Sequence, residues 1–103
     1  LVKQGAFTLE KVVEKMCHNP AKLFNIEKRG FIRKGYYADL VIVERNDAWK
    51  VTPENCISKC GWSPYERETF SSKVAYTIVN GKVVYNKGSF DEKSKGMALN
   101  FVR

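Results

Sequence analysis

The residues of this sequence best suited to bind a metal are one histidine and three cysteines. Cys17 and His18 are adjacent, and Cys56 and Cys60 are four residues apart. Thiolates and imidazole are ligands that zinc prefers, so these residues define one candidate metal site. Adjacent residues on a helix point about 100° apart, so Cys17 and His18 could hardly both face one ion. The spacing of the other two is not that of a CxxC knuckle. The sequence therefore favours cysteines that act as small apolar residues, with a zinc-stabilised mini-domain as an alternative.

Nucleophilic and acid–base chemistry has little support in the sequence. A Cys-His nucleophile needs a third group to orient the base, and nothing designates one beside Cys17-His18. His18 precedes Asn19-Pro20 and is predicted to cap a helix end. Asp39 stands alone before an apolar run, where its expected role is to accept N–H bonds of a turn. Asp91-Glu92 lies in a lysine-rich segment and is predicted to be solvated. We therefore expect no catalytic, cofactor-binding or metal-binding residue in this chain.

An aromatic and basic cluster is the one feature typical of nucleic-acid binding. Trp62, Tyr65 and Phe70 could stack bases, with Lys59 and Arg67 beside them. The chain has 18 basic and 11 acidic residues, a net charge of +7. Its lysines form no dense run, so we expect a solvated basic surface and aromatic residues that anchor a loop on a missing body. A small RNA-binding module stays as the alternative, with affinity that falls steeply with salt. No glycine-rich phosphate loop is present.

The N-terminal third has the periodicity of helices. Thr8 is predicted to cap a helix over about residues 9–17, whose apolar residues recur on one face. Pro20 ends this helix and, behind Asn19 as N-cap, opens a second short helix through 21–24. Two short helices that meet at a sharp corner are expected.

The rest of the chain has the pattern of strands. Leu40–Val43 is a short, mostly β-branched run and is predicted to be a buried, central strand. Asn80-Gly81 predicts a hairpin of strands 73–79 and 82–86, because a type I′ turn needs positive φ at both central residues. The remaining elements are a short strand over 49–52, a proline-opened turn over 52–55, a long loop over 58–72, and an edge strand or strap over 96–101.

Length, cysteine content and the first residues indicate the context of the chain. Its 103 residues fit one domain, and three cysteines, an odd number, favour a reducing compartment. No apolar run reaches the roughly 18 residues of a membrane-spanning helix. The segment Leu1–Gln4 is predicted to be the last turn of a helix that Gly5 stops. These features predict a fragment of a longer polypeptide.

Three segments in order resemble the C-terminal part of the cyclic amidohydrolases of the amidohydrolase superfamily. They are 19–24, 30–41 and 77–85, and within that group 59–66 and 69–74 are most similar to the dihydroorotase family. The resemblance implies a zinc-dependent parent enzyme of pyrimidine biosynthesis. A metal-bridged hydroxide there attacks the ring amide of dihydroorotate, and the reverse reaction closes carbamoyl aspartate. A hydantoinase or other ring amidase is the nearest alternative.

The resemblance also implies which parts of such an enzyme are present. The family's metal-ligand motifs do not occur here, so no catalytic, metal or substrate residue carries over, and no zinc is expected on this fragment. The implied fold is α+β: residues 1–28 are terminal helices of a TIM-type barrel, and residues 29–103 are the C-terminal part of a composite β-sandwich domain. The implied partners are the barrel and the N-terminal strands of a cytoplasmic parent. Without them, uncovered strand edges should make the chain form homo-oligomers or aggregates.

Overall fold

The computed structural model of the chain describes residues 5–102, so the predicted helical turn Leu1–Gln4 lies outside the described part. Its architecture is α+β, a helical run followed by antiparallel strands. The helical elements are α1 (Leu9–Val13), a π-helical turn (Glu14–His18), α2 (Asn19–Leu23) and a 3₁₀ turn (Pro53–Asn55). The strands are β1 (Leu40–Glu44), β2 (Trp49–Lys50), β3 (Thr69–Phe70), β4 (Lys73–Val79), β5 (Lys82–Asn86) and β6 (Ser89–Phe90).

The helical run is continuous, so the predicted corner is wrong. Thr8 caps its start as expected, since Thr8 Oγ1 accepts the backbone N–H of Lys11 at 3.2 Å. Asn19 has helical φ and ψ of −64° and −43°, and its N–H donates to the carbonyl of Glu14, five residues back. Pro20 has no N–H to donate, and its ring crowds the carbonyl four residues before it. A wider π turn just before Pro20 accommodates the ring without breaking the helix. Asn19 is therefore not an N-cap.

The helix ends at Asn25, which has the left-handed φ of 53° that its type favours. The N–H of Ile26 donates to the carbonyl of Ala21 at 2.9 Å, and that of Asn25 donates to the carbonyl of Lys22 at 3.3 Å. These are the two bonds of a Schellman motif, which satisfies the last carbonyls of a helix.

The C-terminal segment crosses this helix end as a strap. The N–H of Glu27 donates to the carbonyl of Asn100, and the N–H of Val102 donates to that of Asn25, both at 2.8 Å. A single bridge joins Ile26 to Phe101. Of the edge strand or strap predicted over 96–101, the structure shows these contacts for Asn100 and Phe101.

The predicted hairpin has the expected bounds. β4 and β5 are antiparallel, and the turn between them has positive φ at Asn80, 51°, and at Gly81, 81°. Positive φ at both residues is what a type I′ turn needs, as the sequence predicts, while the register of the hairpin shifts between Thr77 and Ile78.

β1 is an edge strand, which corrects the prediction of a buried, central one. The larger sheet has the order β1-β4-β5-β6, and β1 has no second neighbour among residues 5–102. Val41 is 58% exposed, and Ile42 and Val43 are also exposed. The apolar composition of the strand is that of a buried element, but no layer of the described chain covers it. The prediction of a strand at Leu40–Val43 is therefore confirmed, and the prediction of its central position in the sheet is wrong.

The predicted long loop over 58–72 contains a strand. β3, at its end, pairs with β2 in a two-stranded sheet, with Trp49 opposite Phe70. The N–H of Val51 donates to the carbonyl of Glu68 at 2.9 Å, which extends the pairing by one residue. The loop is therefore closed at its base and shorter than expected. The proline-opened turn after Val51 is confirmed.

The buried core of the chain is small. The buried apolar residues of the described part are Ala21, Val51 and Ala75, and many large apolar side chains are exposed. Exposed apolar surface on this scale marks a site of interaction. The described residues include no helix with the length and apolar character needed to cross a membrane.

Candidate functional site

The segment between α2 and β1, residues 24–39, is called the connection below. Hydrogen bonds and an ion pair hold it to the β4–β5 hairpin. Asp39 Oδ1 accepts the backbone N–H of Asn80 at 2.8 Å, and Asp39 Oδ2 forms an ion pair with Arg29 Nη1. The N–H of Gly81 donates to the carbonyl of Ala38 at 3.0 Å. Asp39 therefore accepts a turn N–H, as the sequence predicts, and the turn is the hairpin far along the chain. These bonds hold the backbone before β1 against the β4–β5 turn. They have the character of a structural arrangement.

Arg29 is the residue of this connection that the sequence analysis missed. Its side chain is only 10% exposed, and its guanidinium carbon lies 4.3 Å from the centroid of the Tyr37 ring. Within the described part of the chain, Nη2 is buried and has no hydrogen-bond partner. A buried cation is stable only when paired, so Asp39 and the ring are what hold Arg29 in place. The sequence offers one signal for this ion pair, an aspartate ten residues after an arginine. That spacing is too common in proteins to predict a contact.

Gly30 brings the connection against the helix. Its φ is 86°, and a Cβ built on it would lie 2.5 Å from the Cβ of Ala21 and 2.7 Å from the carbonyl oxygen of Cys17. Contacts that short do not occur between real atoms, so only glycine fits. The glycine fixes the distance between helix and connection.

His18 does not cap a helix end, which corrects its predicted role. It lies inside the helical run, and its ring stacks on Phe31 with centroids 4.2 Å apart and planes 7° apart. The guanidinium carbon of Arg33 lies 4.0 Å from the centroid of the same Phe31 ring. The histidine thus packs against the connection, where it serves structure.

The described residues do not fit a zinc site. Between residues 5 and 102, no group of three or more His, Cys, Asp or Glu side chains lies close enough together to hold a metal ion. The one histidine is stacked on Phe31, and Cys17 lies on the helix opposite Gly30. Zinc sites in proteins use three or four such ligands. The donors among residues 5–102 are therefore not arranged as a zinc site in this chain.

Two cysteines do come together, in the loop between β2 and β3. Cys56 Sγ lies 3.3 Å and Cys60 Sγ 3.1 Å from the hydroxyl oxygen of Ser58. Both thiols also donate to the carbonyl of Trp62, at 3.2 and 3.5 Å. The hydrogen bond with Ser58, and then the backbone of Trp62, lower the pKa of the exposed Cys60 thiol below its ordinary value of 9.0. The three cysteines of the chain are free thiols.

The aromatic cluster of the sequence is divided in the structure. Phe70 packs on Trp49 at 5.5 Å and on Tyr65 at 6.0 Å between ring centroids, and Trp49 Nε1 donates to the carbonyl of Ser72 at 2.8 Å. Trp62 and Tyr65 are 60% and 59% exposed, and Phe70 is 39% exposed. The rings of Phe70 and Tyr65 pack on each other and on Trp49, within the chain itself. Such packing does not favour a base-stacking surface.

Of the acids, Asp91 accepts hydrogen bonds from the hydroxyl of Ser94 and the N–H of Lys93, both at 2.9 Å. These bonds lower the pKa of its carboxyl group. The side chains of Asp91 and Glu92 are exposed, as predicted, so neither has the burial of a general acid.

Comparison with known proteins shows consistent similarities. The family model described as "Amidohydrolase family" matches residues 3–85. The dihydroorotase of Pyrococcus furiosus is 41% identical over 95 residues, which are 92% of this chain and 23% of that protein. The dihydroorotase of Clostridioides difficile is 42% identical over 86 residues, 84% of this chain and 20% of that protein.

A solved structure has the same fold. The L-hydantoinase (dihydropyrimidinase) from Arthrobacter aurescens matches with a TM-score of 0.79 and 34% identity, over 86% of this chain and 20% of that one. The chain therefore spans about a fifth of the length of the relatives it matches.

Proposed function

Since this chain belongs to the amidohydrolase family, we propose that it is the C-terminal part of a dihydroorotase, the hydrolase that interconverts carbamoyl aspartate and dihydroorotate in pyrimidine biosynthesis. The observation that carries the proposal is the 41% identity to a dihydroorotase over 92% of the chain. The family relationship supports a hydrolase that acts on cyclic amides, and zinc is proposed as the metal of the parent enzyme.

The proposed role of the chain within that enzyme is structural. Residues 1–28 would close the flank of the barrel, and residues 29–103 would form part of a composite β-sandwich domain. The contacts of Arg29, Gly30 and Asp39 support this role, because they hold the helix to the hairpin at fixed distance. The exposed apolar residues of β1 are the surface that the enzyme's own N-terminal strands would cover.

The chain alone is proposed to be inactive, without a catalytic, metal or substrate residue. Its single histidine is engaged with Phe31, and its donors do not form a metal site between residues 5 and 102. A test is hydrolysis of dihydroorotate by the purified chain with added zinc. We expect a rate equal to that of the blank, and turnover above it would overturn this part of the proposal.

The structural role has its own experiment. The matching fifth of the Pyrococcus furiosus dihydroorotase is replaced by this chain, and dihydroorotate hydrolysis is compared with that of the same enzyme lacking the segment. We expect activity in the chimera and none in the truncated enzyme. An inactive, folded chimera, or an active truncated enzyme, contradicts the structural role.

A hydantoinase is the second candidate for the parent, favoured by the fold similarity to the Arthrobacter aurescens enzyme. The two candidates differ in the ring that is opened. The enzyme from which the chain derives is assayed with dihydroorotate and with hydantoin in parallel. Hydrolysis of hydantoin alone would replace the dihydroorotase proposal by the hydantoinase one.

A cytoplasmic location is proposed as well, since free thiols are typical of a reducing compartment.

A further inference from the structure

The loop between β2 and β3 places two thiols around one hydroxyl group. Cys56 Sγ and Cys60 Sγ each lie within 3.3 Å of Ser58 Oγ, so the two sulfur atoms are separated by less than twice that distance. Both also lie within hydrogen-bond range of the Trp62 carbonyl, on the same side of the loop. A disulfide needs the two sulfur atoms about 2.05 Å apart, so the side chains and the loop must move before the bond can form.

The loop that carries the thiols covers residues 51–68 and contains a tight turn at the second cysteine. The N–H of Gly61 donates to the carbonyl of Ser58 at 3.1 Å, which closes a turn with Lys59 and Cys60 at its centre. Only three residues separate the two cysteines, and both thiols reach the same Trp62 carbonyl just after this turn.

The two thiols differ in their surroundings. Cys60 is exposed, whereas Cys56 is half-buried. The hydroxyl of Ser58 can donate to a Cys60 thiolate, which lowers the pKa of Cys60 and raises the share of the reactive form. An exposed thiol with thiolate character beside a second thiol is the arrangement found in redox-sensitive cysteine pairs.

We propose that Cys56 and Cys60 form a reversible disulfide when a hydroperoxide oxidises Cys60. The Cys60 thiolate attacks the outer peroxide oxygen, the O–O bond breaks, and an alkoxide or hydroxide leaves and takes a proton from water. The product is a sulfenic acid on Cys60. The Cys56 thiol then attacks that sulfur, the S–S bond forms, the S–O bond breaks, and the hydroxide that leaves takes the Cys56 proton as water. Two thiols and one hydroperoxide thus give one disulfide, one alcohol or water, and one further water.

Cys17 is a natural internal control. It is also an exposed, free thiol, but it lies on the helix and not in the loop. If exposure alone decided oxidation, Cys17 and Cys60 would be oxidised equally. If the neighbouring thiol decides it, Cys60 and Cys56 are oxidised ahead of Cys17. The donor count also separates the pair from a zinc site, which needs more ligands than two thiols.

The experiment uses trypsin, since cleavage after Lys59 separates the two cysteines. The purified protein is treated with hydrogen peroxide, its remaining thiols are alkylated, and the digest is mapped by mass spectrometry without reductant. We expect peptides 51–59 and 60–67 to be recovered joined by a disulfide, and separately after dithiothreitol. The protein should stay monomer-sized on a non-reducing gel relative to the untreated sample. Separate, alkylated peptides, or a link that appears only in a covalent dimer, would overturn the proposal.

Three single variants complete the test. Cys17→Ser should leave the linked peptides unchanged. Cys60→Ser should abolish them, and Cys56→Ser should abolish them while leaving a sulfenic acid on Cys60 that dimedone traps. A disulfide that contains peptide 16–22, or dimedone labelling of Cys17 ahead of Cys60, would contradict the assignment. The untreated protein supplies a check without variants, because Cys60 should be alkylated faster than Cys17.

Discussion

The carboxylate of Asp39 and the backbone N–H of Asn80 are 41 residues apart in the sequence and 2.8 Å apart in the structure. Asp39 closes the connection from the helix, and Asn80 opens the β4–β5 turn. Their hydrogen bond therefore ties the two best-defined elements of the chain together. The ion pair with Arg29 makes Asp39 the common partner of both.

Asp39→Ala should destabilise the protein by about 2 kcal/mol. Removing one member of a buried pair costs roughly 3–5 kcal/mol, and Asp39 is one-third exposed, which reduces the loss. Much of the cost comes from Arg29, which stays buried without its partner. The measurement is the free energy of unfolding from a denaturant titration.

The matched control for that change is Asp47→Ala, which removes an exposed acid from the β1–β2 turn region. Surface substitutions of this kind are usually within about 0.5 kcal/mol of neutral. Equal losses in the free energy of unfolding for the two substitutions would show that the bonds of Asp39 do not stabilise the fold.

Gly30→Ala should cost about 1–3 kcal/mol more than Gly35→Ala. Both glycines have a φ of 86°, so both substitutions carry the same left-handed strain of about 1 kcal/mol. A Cβ at Gly30 meets Ala21 and the carbonyl of Cys17, whereas at Gly35 nothing lies within 4 Å. Overpacking of this kind typically adds about 1–3 kcal/mol.

The comparison of the two glycine variants uses their free energies of unfolding, measured side by side. If both lose the same amount, backbone strain alone explains the loss and the helix does not contact the connection at Gly30. A return of stability in Gly30→Ala when Ala21 is also changed to glycine would support the contact further.

Local signals in the sequence predict the elements that depend on few neighbours. Asn80-Gly81 predicts the hairpin because positive φ at two successive residues is a local requirement. Thr8 likewise marks the helix start, since an N-cap uses only the adjacent turn.

Other features of the structure have no sequence pattern that predicts them. A proline within a helical pattern predicts a break, and the π turn that absorbs Pro20 has no sequence signature of its own. The residues of β1 have the same composition whether they are covered or exposed, so only the sheet order places them at an edge. The pairs of Arg29 with Asp39 and of Cys56 with Cys60 depend on chain folding that spacing does not encode.

Ile42→Lys should reduce self-association of the purified chain. β1 is an edge strand with exposed apolar side chains, and such edges pair with other chains unless a charge blocks them. The measurement is the elution volume in size-exclusion chromatography over a range of concentrations.

The control for this change is Ile32→Lys, the same substitution at an isoleucine that is 87% exposed and lies outside the strands. It adds the same charge without altering the edge. Self-association that is reduced equally by both variants would point to net charge, not to the β1 edge, as the cause.

Glu14 should titrate below its ordinary pKa of 4.5, and Lys11→Ala should raise it. Lys11 Nζ donates to Glu14 Oε2 at 2.9 Å, and this bond and the charge of Lys11 lower the pKa of the carboxyl group. Because the pKa is lowered on folding, any stability from the pair is present above 4.5 and is lost as the pH falls through the lowered value. The measurement is an NMR titration of the Glu14 side chain. Lys15→Ala should have a smaller effect, since Lys15 is a minor cause, and an equal effect would contradict the direct bond.

Ser58→Ala should shift the alkylation of Cys60 toward higher pH. In the native loop the hydroxyl of Ser58 lowers the pKa of Cys60, so the thiolate forms at a lower pH than its ordinary 9.0 predicts. Removing the hydroxyl takes away the largest cause of the lowered pKa of Cys60, so a higher pH is needed for the same alkylation rate. The measurement is the pH dependence of iodoacetamide labelling at Cys60, with Cys17 in the same protein as the reference thiol.

Ser63→Ala is the matched control, because it removes a nearby hydroxyl that bonds the N–H of Tyr65 and neither cysteine. A profile of Cys60 that is unchanged in Ser58→Ala would show that the hydroxyl does not set the reactivity of the pair.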